Sequence, residues 1–121
     1  MEIKEQYMTI APASLEELYK SIIAYTQRIE SSLDAAEIMA VIKERDEIGE
    51  GLVSDDGLII HVINRKVKQD VITYFSLSKP INYCLKSLKK SFDLDKVVLL
   101  VVNPGHQLNK PKHLITFIMN N

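Results

Sequence analysis

Cysteine is nearly missing from this 121-residue chain: Cys84 stands alone. That excludes an internal disulfide framework and fits a reducing compartment. Long apolar runs are missing as well. Val97–Val102 is the longest, far short of the ~20 residues that span a bilayer, so no direct membrane insertion is expected. Charge of one sign is not in excess either. Fifteen Lys and Arg stand against sixteen Asp and Glu, a formal net charge of −1, so the chain lacks the basic footprint of a protein that grips nucleic acid through bulk charge. The lysines between Lys86 and Lys90 sit beside apolar residues and read as a solvated helix face. The N-terminal text MEIKEQYMTIAPAS carries charges where a signal peptide needs an apolar centre. There is no internal repeat or low-complexity tract. These absences describe a soluble cytoplasmic protein with no nucleic-acid partner.

What is present is an ordinary globular composition, 46% hydrophobic and 26% charged, on a chain long enough to bury a core without covalent staples. Residues 1–121 are expected to form a single domain. Ile3, Tyr7, Met8 and Ile10 suit a short strand or an ordered lead-in. Ser14 and Glu17 have the spacing of a capping box, in which each side chain satisfies a free backbone N–H. Leu15, Leu18, Tyr19, Ile22, Ile23, Thr26 and Ile29 then recur at helical spacing. A second helix is expected from Ser31 or Ser32, with Ile38, Val41 and Ile42 as its stripe and Arg45 below the same stripe. Gly49 and Gly51 break it, and Ser54–Gly57 is a turn cluster.

Leu58–Ile63 is β-branched, short and apolar on both faces, as a central strand is. His61 lies inside it. Val71–Ser78 reads as a second strand ended by Lys79-Pro80, Tyr83–Phe92 as a short amphipathic helix through Leu85 and Leu88, and Lys96–Val102 as a third, central strand closed by Asn103-Pro104-Gly105. Pro111 suits the first turn of a last helix, with His113 in that turn and Leu114, Phe117 and Ile118 on its apolar side. Mixed helices and strands point to an α/β layered fold, a mixed central β-sheet covered by helices.

Residue type leaves the chemistry open at each position. His61 is either a packed core histidine or a reactive group shielded from water. Arg45 is either a helix-terminal cation favoured by the dipole or a group that points into a crevice or a partner. His113 is either an exposed helix-start residue or a hydrogen-bond donor. His61, His106 and His113 together have no recognised metal spacing, so no zinc is expected. Cys84 reads as a packing residue, His106 as a loop residue, and the loop serines and aspartates form no hydrolase motif.

Several of these pieces together resemble one family, the fructose–mannitol-type enzyme IIA domain of the bacterial phosphoenolpyruvate-dependent sugar phosphotransferase system. That family has a helix ending in an arginine-glutamate pair, a Gly-Ser-Thr-Gly loop and a strand carrying Ala-Ile-Pro-His. Here the text is Arg45-Asp46-Glu47-Ile48-Gly49, a loop, then Leu58-Ile59-Ile60-His61, with no gap needed between Arg45 and His61. Ser78-Lys79-Pro80-Ile81-Asn82-Tyr83 resembles the family's Lys-Pro-Ile-Asp-Trp turn. KVVLLVVNP at 96–104 is similar to its buried strand, and His113-Leu114 to the pair that opens its last helix. The resemblance covers nearly the whole chain. Departures are Ile60 in place of proline, Glu50 and Gly51 in place of serine and threonine, and Ser54 and Asp56 where glycine is frequent. The text after His113 is also shorter than the family's terminal helix.

The resemblance implies a phosphoryl carrier: His61 accepts phosphate from the phosphocarrier protein HPr and passes it to a IIB domain during sugar uptake, with Arg45 and His113 supporting it. No metal or organic cofactor is implied. The physical case is independent of the family. A neutral imidazole is a good nucleophile near neutral pH, and phosphoryl transfer needs in-line positioning and positive charge on the equatorial oxygens. A guanidinium supplies that charge through paired hydrogen bonds. The alternative reading is a non-catalytic regulatory or protein-binding domain of the same fold, for which the altered loop and Ile60 argue.

Overall fold

The computed structural model describes residues 3–48, 52–54, 57–85, 90–106 and 111–119, with the side chains of 45–48, 52–54, 84–85, 90 and 92 outside the description. In chain order the elements are β1 (Lys4–Ile10), α1 (Leu15–Ile29), α2 (Ala35–Ile48), β2 (Leu52–Ser54), β3 (Gly57–Ile63), β4 (Val71–Leu85), β5 (Lys90–Val102) and α3 (Leu114–Met119). The strands form one mixed sheet in the order β1-β4-β5-β3-β2. β1 runs parallel to β4 and β3 parallel to β5, while β4–β5 and β2–β3 are antiparallel.

The α1 start follows the expected cap. Ser14 Oγ accepts the Glu17 N–H at 3.2 Å, and Glu17 Oε2 accepts the Ala13 N–H at 2.6 Å, one residue before the usual reciprocal position. The helix buries Leu18, Ile22, Ile23, Tyr25 and Thr26. The α2 start differs from expectation. Asp34, not Ser31 or Ser32, is the cap, its Oδ1 accepting the Glu37 N–H at 2.8 Å. Ser32 instead donates to the buried Glu30 carboxylate.

Both helices cover one face of the sheet. Leu18, Ile22, Ile38 and Ile42 join Leu58, Ile60, Val62, Phe75, Leu99 and Val101 in the main core. Removing each such side chain from water contributes about 1.5–3 kcal/mol. Tyr25 spans the layers: its ring meets Phe75 edge-on at 5.3 Å, and its hydroxyl bonds Thr73 Oγ1 at 2.8 Å and the Gln6 side chain. The opposite face is covered in part by α3, whose Leu114 and Phe117 pack with Ile72, Tyr74, Val98, Ile59 and Leu100.

Two expectations around residue 80 are corrected. Lys79-Pro80 does not end the strand. β4 continues to Leu85 across a register shift between Ser76 and Ile81, the kind of irregularity at which a strand tolerates proline. The expected helix over Tyr83–Phe92 is strand at both described ends, Cys84 facing Ser91 and Leu85 facing Lys90. Burial explains why: Ile81 and Tyr83 are buried on either side of exposed Asn82 and pair with the strand holding buried Leu94, a period of two. Leu88 and the turn glycines Gly49 and Gly51 lie outside the described residues.

Candidate functional site

Strand alternation fixes where His61 points. Leu58, Ile60 and Val62 belong to the core beneath α1 and α2, so Ile59, His61 and Ile63 occupy the α3 face. His61 is half-buried there and stands in register with Leu100 of β5, which in turn faces Ile72 of β4, which faces Glu5 of β1. The row Glu5–Ile72–Leu100–His61 therefore crosses the sheet at one level.

His113 sits above the other end of that row. It immediately precedes α3, and its carbonyl accepts the Phe117 N–H at 2.9 Å. Its own N–H donates to Glu5 Oε1 at 3.0 Å, and its ring lies 6.3 Å from that of Tyr7. Three strand spacings of about 4.8 Å separate the β1 and β3 backbones, so the His113 backbone is anchored about 14 Å across the sheet from the strand of His61. Arg45 is in the last turn of α2, on the helix that packs against the opposite face; its side chain lies outside the described residues.

Glu5 organises the α3 end. Its Oε1 also accepts the Tyr74 hydroxyl at 2.5 Å. Partial burial pushes the Glu5 pKa up, but the Tyr74 hydroxyl and the His113 and Lys112 amides outweigh it, and the carboxyl sits below its ordinary value. Tyr74 moves the other way: burial, then the Glu5 hydrogen bond and charge, push its phenol well above the usual range. Beneath α3 a cleft of about 430 Å³ is lined by Tyr7, Ser76, Asp95, Lys96, Thr116 and Phe117. Lys96 is buried, and its Nζ donates to the Ile118 carbonyl at 3.2 Å.

At the carboxyl ends of β3 and β5 the loops are tied together. Asn103 Nδ2 donates to the carbonyls of Arg65 and Val67 at 2.9 and 3.0 Å, and its Oδ1 accepts the Gly105 N–H at 2.8 Å. Glu37 of α2 accepts from Lys66 Nζ at 2.9 Å and Asn64 Nδ2 at 3.1 Å, and the Lys66 hydrogen bond chiefly holds its carboxyl below the ordinary value. Asp70, 1% exposed, accepts the Asn103 N–H at 2.9 Å and meets His106 Nδ1 at 3.0 Å. From sequence alone His106 is a plain loop residue. Its partner is 36 residues away, and nothing local signals the pair. Among the described residues no three His, Cys, Asp or Glu side chains group as a metal site, and no helix is long and apolar enough to cross a membrane.

Among the described residues, a five-stranded mixed sheet with two helices on one face and a short third on the other defines a layered α/β fold of the enzyme IIA type. Among solved structures, the nitrogen regulatory protein IIA-Ntr from Neisseria meningitidis is similar, with a TM-score of 0.64 at 18% identity over 83% of this chain. The match spans 66% of that protein's chain, and at this identity the likeness is one of fold. No protein-family model matches the sequence, and no curated protein does.

Proposed function

We propose that this chain is a phosphoryl carrier of the fructose–mannitol IIA kind, with His61 as the acceptor. The observation that carries the reading is a half-buried histidine inside an apolar strand of a IIA-type fold, on the face that α3 only partly covers. In the proposed step an His61 ring nitrogen attacks the phosphorus of phosphorylated HPr in line, the bond to the HPr histidine breaks, and the phosphohistidine later yields its group to a IIB domain. Little covalent help is needed beyond positioning and charge. Arg45 is the proposed source of that charge and His113 a supporting donor. Their joining His61 requires the α2 terminus and the α3 start to converge on it when HPr is docked. The protein would act in the cytoplasm, beside a membrane-bound sugar permease.

A regulatory role on the same fold is the second reading, favoured by Ile60, by the replaced loop residues and by the 14-Å-scale separation of the His61 and His113 anchors. Incubation with phosphoenolpyruvate, the first enzyme of the pathway and HPr distinguishes the two. The carrier reading expects acid-labile phosphate that disappears in His61→Ala. A folded wild-type protein that takes up none would establish the regulatory reading instead, and labelling that persists in the variant would move the acceptor elsewhere.

A further inference from the structure

A second histidine has the geometry of an activated nucleophile. Asp70 Oδ1 already accepts the Asn103 N–H, so toward His106 it acts as an acceptor, and His106 Nδ1 must carry the donated proton. That leaves the lone pair on Nε2. The imidazole side chain is 25% exposed and the carboxylate 1%: the orienting group is sealed in while the ring reaches solvent. This is the arrangement in which a reactive group is held by a partner that fixes its tautomer.

Closing the loop does not require the imidazole. The Asn103 side chain ties the turn to the 65–67 segment through two hydrogen bonds, and its Oδ1 accepts the Gly105 N–H within the turn. The second oxygen of Asp70 is buried and has no hydrogen-bond partner among the described residues. The buried carboxylate accepts the Nδ1–H hydrogen bond, and such a bond is stronger when its donor is cationic. Any reaction that leaves His106 cationic is therefore assisted from behind. The segment pinned to the same turn bears Arg65 and Lys68, both exposed.

We infer that His106 Nε2 is a second phosphoryl-accepting nitrogen, separate from His61 and activated by Asp70. With a small phosphoramidate donor, Nε2 gives its lone pair to phosphorus as the donor's P–N bond breaks. The donor reacts in its N-protonated form, so its nitrogen departs as ammonia with the P–N electron pair, and the ring keeps its Nδ1 proton as an imidazolium hydrogen-bonded to the Asp70 carboxylate. No oxidant, metal or further reactant enters.

The test is to incubate the intact chain with potassium phosphoramidate and map labelled peptides by mass spectrometry. Label is expected on the peptide holding His106 in the wild type and in His61→Ala, absent from that position in His106→Gln, and formed roughly tenfold or more slowly in Asp70→Asn, the size expected from losing a hydrogen bond to a charged acceptor. Wild-type protein in concentrated urea gives a second comparison that does not depend on the folding of a variant: the folded chain should label His106 faster than the unfolded one. No label at His106, equal rates in Asp70→Asn, or unfolded chain reacting as fast as folded would each overturn the inference.

Discussion

Replacing Tyr74 by Phe removes one oxygen from a side chain that is 0% exposed and whose hydroxyl donates to Glu5 Oε1. The ring stays, so its packing at 5.0 Å from Phe117 and 4.9 Å from Tyr7 is retained. What is lost is a hydrogen bond to a charged acceptor, of the class that contributes about 1.5–3 kcal/mol. Glu5 is only half-buried and keeps the His113 N–H. Water replaces part of the loss, and a cost of about 1–2 kcal/mol remains. The sign of the pH dependence follows from Glu5. Its folded pKa lies below the ordinary value of 4.5, so its contribution is fully present above that value and is lost as pH falls through the folded pKa. Urea unfolding of wild type and Tyr74→Phe should therefore differ at neutral pH and converge in acid well below 4.5. Equal stability at neutral pH, or an undiminished difference in acid, would refute the role given to this carboxylate in docking α3.

Leu94→Ala should destabilise by about 2–5 kcal/mol in denaturant titration, because Leu94 is 0% exposed and faces Ile81 across the β4–β5 extension. A cost below about 1 kcal/mol would detach that extension from the core. Ser14→Ala should cost about 1 kcal/mol with an unchanged slope against denaturant, through loss of the N-cap bond to Glu17.

What could be read from the sequence was what is decided locally. The Ser14–Glu17 cap, the α1 stripe and the Leu58–Ile63 strand depend on neighbours within a turn or a pleat, and the structure has each of them. The Tyr83–Phe92 segment failed because Leu85 and Leu88 suggest a helical period, whereas the alternation of Ile81, Asn82 and Tyr83 acquires meaning only beside β5. Pro80 looked like a terminator because a bulge that accommodates it cannot be seen in one strand. At the candidate site, the position and half-burial of His61 follow from strand parity. Its relation to His113 does not, since strand order, not spacing, puts Glu5 and His113 at the far edge. Asp70 and His106 escaped notice for the same reason: a buried carboxylate chooses its partner through the fold.

The central claim is tested most directly by phosphorus NMR of the chain, labelled with ring nitrogen-15 histidine, after transfer from phosphorylated HPr. The account predicts a phosphoramidate resonance coupled to a ring nitrogen assigned to His61 and missing in His61→Ala. A spectrum without that resonance, from folded protein and active HPr, would contradict it.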